Sequence, residues 1–174
     1  MRELADADRI RRFMRTLGAE ATEDGAVYFT GGATAVLLGW RASTLDVDIL
    51  PIPEQESVLR AIPRLKDELQ LNVELASPRD FVPVPAGWED RSIFVAREGR
   101  LSFYHFDPYA QTLSKLERGH AQDLEDVRAL VEKGLVDPAR ALAYLDDIED
   151  DLYRYPALDP ASFRRRVEAA LLAR

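Results

Sequence analysis

Residues 26–50 read AVYFTGGATAVLLGWRASTLDVDIL, which is two β-rich runs separated by a glycine pair and a short apolar segment. The first run, AVYFT, favours a strand and leads directly into Gly31 and Gly32. Residues 33–38 have the composition of a short helix, and residues 45–50 return as a second strand. The pattern therefore predicts a strand, a glycine turn, a helix and a strand, which begin an α/β-like core.

The glycine pair lies where the first predicted strand passes into the helix. Glycine has no Cβ, so its backbone N–H groups can come close to a phosphate, and the first turn of a helix adds partial positive charge. Glycine pairs also commonly mark an ordinary turn. Gly31 and Gly32 are therefore read either as phosphate contacts or as turn residues.

The second predicted strand carries two aspartates on one face. Alternation places Asp46 and Asp48 on the face opposite to the apolar residues at 45, 47 and 49. Their Cβ atoms would lie roughly 6–7 Å apart, which two divalent ions about 3.5–4 Å apart can bridge. Aspartate is depleted in strands, so the pair indicates a metal site, although such alternation is also typical of a solvated strand face.

The glycine pair and the aspartates together resemble a known signature. Gly31-Gly32 followed by Gly39-x-Arg41-x-Ser43-Thr44-x-Asp46-x-Asp48 is similar to the polymerase-β-like nucleotidyltransferase superfamily, in its small prokaryotic branch with Gly-Gly in place of Gly-Ser. Where relatives carry a serine hydroxyl that helps to hold the terminal phosphates, this chain has Gly32. The resemblance then requires Thr30 or Thr34 to substitute, or the backbone to act alone.

A third carboxylate is sought on the next strand. Residues 71–75 alternate so that Asn72 and Glu74 share a face, and the family pattern places its last acid in a hydrophobic-acid-hydrophobic triplet like the one around Glu74. The resemblance makes Glu74 the third metal ligand. A single glutamate on a half-buried strand equally fits a solvated position.

The remaining elements give the predicted organisation. The sequence predicts helices over 6–17, 54–69, 108–118, 121–133, 138–152 and 160–173, and further strands over 71–75, 93–97 and 101–106. The predicted fold is α+β: a polymerase-β-type mixed sheet of about five strands with flanking helices, followed by a C-terminal helical bundle. Residues 1–106 form the nucleotidyltransferase core and 107–174 a helical region packed on it as a single compact unit.

Two segments of the helical region extend the resemblance. Lys115 lies in a Leu-Ser-Lys-Leu segment like the one in which a nucleotidyltransferase lysine contacts phosphates, although an exposed helix lysine explains it as well. Arg118, Asp123 and Asp126 are similar to the Arg-x-x-x-Lys-Asp-x-x-Asp element of abortive-infection nucleotidyltransferase toxins, with Gln122 in place of its lysine. The two aspartates would orient Lys115 or Arg118, or Asp123 would only complement the helix dipole.

Composition limits the chemistry. The chain has 174 residues, no cysteine, two histidines and a net charge of −8, which exclude disulfides and thiolate sites and disfavour a histidine zinc site and a broad nucleic-acid surface. Oxygen ligands acting with phosphates favour Mg²⁺ or Mn²⁺. No stretch is long and apolar enough to span a membrane, so a cytoplasmic location is expected.

The resemblance implies a metal-dependent nucleotidyltransferase that moves a nucleoside monophosphate from NTP to a hydroxyl of RNA, such as tRNA, or of protein. It implies the catalytic residues Asp46, Asp48, Glu74 and Lys115, of which the three acids bind metal, and the nucleotide-binding residues Thr30, Gly31, Gly32, Thr34, Arg41, Thr44 and Arg118. A toxin role with an antitoxin partner follows by analogy. The alternative is a non-catalytic nucleotide-binding, metal-binding or regulatory module on the same fold.

Overall fold

The computed structural model describes residues 2–173. The helices in that range are α1 (Ala7–Glu20), α2 (Gly32–Leu38), α3 (Glu56–Glu68), α4 (Trp88–Arg91), α5 (Pro108–Arg118), α6 (Ala121–Glu132), α7 (Pro138–Ile148) and α8 (Pro160–Leu172). The strands are β1 (Gly25–Thr30), β2 (Asp46–Ile52), β3 (Asn72–Leu75), β4 (Ile93–Glu98) and β5 (Leu101–His105). Two short 3₁₀ turns cover Pro78–Asp80 and Glu149–Arg154.

The five strands form one mixed sheet in the order β3-β2-β1-β5-β4. β1 is antiparallel to β2 and parallel to β5, while β2 is parallel to β3 and β4 is antiparallel to β5. Helices connect most of these strands. This architecture confirms the predicted α+β fold with a mixed sheet of about five strands.

One face of the sheet is covered by the main hydrophobic core. Alternation directs Phe29 of β1, Val47 and Ile49 of β2 and Phe103 of β5 into it, where they pack with apolar residues of α1 and α3. Burying each such side chain contributes about 1.5–3 kcal/mol. The residues between them, including the polar ones of β2 and β3, therefore point to the other face.

Helix α1 continues beyond the predicted end at Leu17, and Gly18 lies within it as a packing residue. A Cβ at Gly18 would lie 2.2 Å from the Glu98 carbonyl oxygen, and one at Gly99 would lie 2.4 Å from the Gly18 carbonyl oxygen. The glycine therefore permits close approach of the turn between β4 and β5 to the helix. It does not end the helix, which runs to Glu20.

The chain divides into two compact units. The first contains the chain through Ser77 together with Ile93–Phe106, and the second contains Pro78–Ser92 and the chain from Asp107 onward. The first unit holds the sheet and α1 to α3. The second holds α4 to α8.

Residues 78–92 are held within the second unit by an arginine. Arg91 donates from Nε and Nη2 to Asp107 Oδ2 at 3.0 and 2.8 Å, and its guanidinium lies 4.3 Å from the Tyr144 ring centroid. Asp107 is fully buried, and its other oxygen accepts a hydrogen bond from the Tyr109 N–H at the start of α5. A charge-assisted pair of this kind fixes the segment to the start of that helix.

Candidate active site

Gly31 forms a turn that only glycine adopts without strain. Its φ of 64° and ψ of −130° lie outside the regions open to other residues. A Cβ at this position would lie 3.1 Å from Asp48 Oδ2. The carboxylate of Asp48 therefore lies close to the backbone of the turn.

Gly32 is glycine because Thr44 occupies its side-chain space. A Cβ on Gly32 would lie 2.0 Å from Thr44 Oγ1, 2.7 Å from Thr44 Cβ and 3.3 Å from Arg41 Nη1. The Thr44 hydroxyl donates a hydrogen bond to the Asp46 carbonyl oxygen at 3.1 Å. A serine at position 32 is therefore incompatible with Thr44 in this arrangement, and the guanidinium of Arg41 also lies close to the turn.

The acidic side chains meet across β2 and β3. The strand register pairs Asp48 with Glu74 and Asp46 with Asn72, and it pairs Thr30 of β1 with Asp48 on the other side. These side chains share the sheet face opposite to the core, which we call the acidic face. Asp46 and Asp48 are half-buried, whereas Glu74 is exposed.

Asn72 is a residue of this face to which the sequence prediction gave no role. Its Nδ2 donates to Asp46 Oδ1 at 2.5 Å and to Glu74 Oε1 at 3.1 Å. Arg2 Nη1 donates to Asn72 Oδ1 at 2.8 Å, which turns the amide nitrogen towards the acids. Its two-residue spacing from Glu74 was the available signal, because residues two apart on a strand share a face.

The chemistry of the acids suits a hard divalent cation. Asp46, Asp48 and Glu74 offer carboxylate oxygens, which Mg²⁺ and Mn²⁺ prefer. Across residues 2–173, no three histidine or acidic side chains lie close enough together to hold a metal ion. As metal ligands, this face therefore offers Asp46 and Asp48 on one strand and Glu74 on the neighbouring strand.

Thr34 has its hydroxyl directed into the core. Its Oγ1 lies 3.1 Å from His105 Nδ1 and 3.4 Å from the Phe29 carbonyl oxygen, and the side chain is buried. Burial also lowers the pKa of His105 to about 4, so the imidazole is neutral at pH 7. Thr30 is buried as well, but the register places it beside Asp48.

The predicted lysine and arginine of the second unit are engaged in ion pairs there. Lys115 Nζ lies 2.7 Å from Asp126 Oδ2 and 3.8 Å from Asp123 Oδ1, and Arg118 Nη2 lies 2.5 Å from Asp123 Oδ1. Lys115 is only 4% exposed, so the alternative of an exposed helix lysine is wrong. The two aspartates orient Lys115 and Arg118 and balance their charges.

Comparison with known proteins gives one family. A family model described as a nucleotidyltransferase of unknown function (DUF6036) matches residues 8–152. That match runs from the second residue of α1 through α7 and includes Asp46, Asp48, Asn72 and Glu74. No curated protein and no solved structure matches the chain. Within the described part of the chain, no helix combines the length and apolarity needed to cross a membrane.

Proposed function

Because the chain belongs to this family of nucleotidyltransferases, we propose that it transfers a nucleoside monophosphate from an NTP to an acceptor hydroxyl with the help of Mg²⁺ or Mn²⁺. The observation that carries the proposal is the contact of Asp48 with the Gly31 turn, with Asp46 on the same strand face. A phosphate-binding backbone and metal-binding carboxylates are thereby adjacent. A strand face that only contacts solvent would not require a glycine turn beside its carboxylates.

Each residue near the turn has a part in binding. Gly31 and Gly32 present backbone N–H groups to the terminal phosphates, and Arg41 offsets their negative charge. Asp46 and Asp48 would hold the metal, and Glu74 would have to move towards them from β3, because in this structure the three acids are not grouped closely enough to hold one ion. A metal held there would lower the pKa of the attacking hydroxyl and neutralise charge on the triphosphate.

The transfer itself exchanges one phosphorus–oxygen bond for another. The acceptor oxygen bonds to the α-phosphorus, the bond from that phosphorus to the bridging oxygen breaks, and pyrophosphate leaves with its electron pair. The hydroxyl proton is lost to solvent or to a nearby carboxylate. The protein contributes position and charge, because phosphoryl chemistry needs little covalent help.

The resemblance gives Lys115 and Arg118 phosphate-contacting roles, and both lie in the second compact unit, in ion pairs with Asp126 and Asp123. The nucleotide-binding roles of Thr30 and Thr34 rest on the resemblance, and the buried contacts of Thr34 argue for a supporting position.

The acceptor is proposed as RNA, such as tRNA, or protein, and the biological setting as a toxin neutralised by an antitoxin. Both come from the resemblance and not from the geometry. The second candidate is a non-catalytic nucleotide-binding, metal-binding or regulatory module. Two observations favour it. The Asn72 amide donates hydrogen bonds to Asp46 and Glu74, and no three-acid metal cluster lies among residues 2–173.

The deciding experiment is label transfer. Wild type, Asp46→Asn and Asp48→Asn are incubated with each α-labelled NTP, Mg²⁺ or Mn²⁺, and total cellular RNA and protein. Asp8→Asn, at an exposed position on α1, is the matched control and should behave as wild type. Transfer lost only in the two site variants supports the enzyme and identifies the acceptor class. Metal-dependent NTP binding by calorimetry without transfer supports the module.

A further inference from the structure

Thr44 lies between the glycine turn and the first aspartate and contacts both. Its Oγ1 and Cβ occupy the space that a side chain on Gly32 would need, at 2.0 and 2.7 Å from the Cβ position. The same hydroxyl donates to the Asp46 carbonyl oxygen at 3.1 Å. One side chain therefore packs against the phosphate-binding turn and is tied to the strand that carries the acids.

Thr44 is itself held in place from the opposite side. Its N–H donates to the Ala5 carbonyl oxygen at 2.9 Å, and its carbonyl oxygen accepts from the Ala5 N–H at 2.8 Å. Ala5 is fully buried and Thr44 is 9% exposed. A residue whose backbone is fixed by two hydrogen bonds holds its side chain more firmly against its neighbours than a residue on a free loop does.

The contacts of the other threonines distinguish Thr44 from them. The hydroxyl of Thr34 contacts His105 Nδ1 and the Phe29 carbonyl oxygen. Thr30 lies on β1 opposite Asp48 and precedes the turn. Thr44 alone of the three fills the side-chain space of Gly32.

We propose that Thr44 is a positioning residue that sets the separation between the Gly31-Gly32 turn and Asp46. The inference rests on the proposed function, because the turn and Asp46 must bind one metal-nucleotide together. Displacements of about 1 Å at a reacting centre can lower rates about a hundredfold, so such a spacer affects catalysis without touching substrate. Gly32 and Thr44 then act together, because the Thr44 side chain fills the space that a side chain at position 32 would need.

Two variants separate the hydroxyl from the shape of the side chain. Thr44→Val keeps the branched shape and loses the donor to Asp46, whereas Thr44→Ser keeps the donor. We expect Thr44→Val to raise the KM for the metal-NTP about tenfold and Thr44→Ser to stay within about threefold of wild type. Both should melt within a few degrees of wild type, which a circular dichroism melt checks.

A second measurement does not depend on activity. Amide hydrogen exchange at residues 31–33 of the free protein should speed up in Thr44→Val and stay at the wild-type rate in Thr44→Ser, because the hydroxyl holds to the Asp46 carbonyl oxygen the side chain that packs against the turn. If wild type neither binds nor transfers a nucleotide, the proposed function fails, and the exchange result still decides the role of Thr44. Equal exchange rates in wild type and Thr44→Val overturn the inference.

A double variant tests whether packing alone is enough. Gly32→Ala/Thr44→Gly moves a methyl group into the emptied space and supplies no hydroxyl, and Gly32→Ser/Thr44→Gly supplies both. We expect only the serine pair to recover the wild-type exchange rate at residues 31–33. Equal recovery by the alanine pair would show that Thr44 acts by bulk, and the proposed hydrogen-bonded link to Asp46 would then be wrong.

Discussion

Asn72 Nδ2 lies 2.5 Å from Asp46 Oδ1, so an amide on β3 holds the first aspartate of β2. The same nitrogen lies 3.1 Å from Glu74 Oε1 and therefore bridges two carboxylates that would otherwise repel each other. Arg2 completes the chain of contacts by donating to the Asn72 oxygen. A neutral donor between the two acids performs part of the task that a bound cation would perform.

Replacing Asn72 by aspartate should exchange this amide for a further metal ligand. In EDTA, Asn72→Asp is expected to destabilise the fold by about 1–3 kcal/mol, because a fourth carboxylate then joins Asp46, Asp48 and Glu74 and the Nδ2 donor to Asp46 and Glu74 is lost. Saturating Mg²⁺ or Mn²⁺ should recover most of that loss and raise the melting temperature more than it does for wild type. Thermal melts in EDTA and in metal measure both effects.

Asn72→Ala is the control for this exchange, since it removes the amide and adds no charge. Its melting temperature should fall in EDTA and recover less in metal than that of Asn72→Asp. If metal raises the melting temperatures of all three proteins equally, or of none, the acidic face does not bind a divalent cation. The metal-dependent proposal would then lose its support.

Lys115 and Asp126 form a buried ion pair, and we expect their contributions to the free energy of unfolding to be coupled. Lys115→Met removes the cationic partner of Asp126 from a buried ion pair and should cost about 3–5 kcal/mol, measured by urea unfolding. The pair variant Lys115→Met/Asp126→Leu should recover at least half of that loss. A loss of transfer activity in Lys115→Met could come from lost stability or from a lost role of the lysine in transfer. It indicates a role in transfer only when the more stable pair variant is also inactive.

Additive losses in the two single variants and the pair variant would contradict this coupling. Lys133→Met serves as the matched control, because Lys133 is an exposed lysine at the end of α6. Its unfolding free energy should stay within about 0.5 kcal/mol of wild type.

His105 should make the fold sensitive to acid. Burial lowers its pKa from about 6.5 to about 4, so the unfolded chain binds a proton at a pH where the folded chain does not. Its contribution to stability is complete above pH 6.5 and is lost as pH falls from there through 4. The full loss amounts to about 3 kcal/mol, which unfolding curves between pH 7 and pH 4 would show.

His105→Gln removes this titration and should flatten that part of the pH profile, at the cost of some stability at pH 7. His120→Gln, at the exposed start of α6, is the control and should leave the slope unchanged. Parallel profiles for wild type and His105→Gln would show that another group is responsible for the acid sensitivity.

The local part of the fold was readable from the sequence, because strand alternation and turn chemistry are short-range. Residues 26–50 predicted β1, the glycine turn, α2 and β2 in their observed order, and Asp46 and Asp48 share a strand face as expected. Glu74 required the register between β2 and β3, which the sequence does not state. That register places it opposite Asp48.

Long-range contacts explain what could not be predicted. The first helix was predicted to end at residue 17, but it continues through Gly18, whose close approach to Glu98, 80 positions later, makes it a packing glycine within the helix. Arg91 fixes residues 78–92 through Asp107 without any local pattern. Thr44 was one of several candidate threonines until the structure placed its hydroxyl beside Gly32. In each case the partner is distant in sequence.

Gly31 allows backbone strain to be separated from function. Gly31→Ala and Gly134→Ala both put a side chain at positive φ, 64° and 73°, and each should destabilise by about 1–3 kcal/mol. A Cβ at Gly134 meets nothing within 4 Å, whereas one at Gly31 lies 3.1 Å from Asp48 Oδ2. Only Gly31→Ala should therefore weaken metal-dependent NTP binding, by about tenfold or more in calorimetry at a temperature where both variants are folded. Equal NTP affinity in the two variants would remove the Gly31 turn from the nucleotide site and leave the aspartates without their phosphate-binding neighbour.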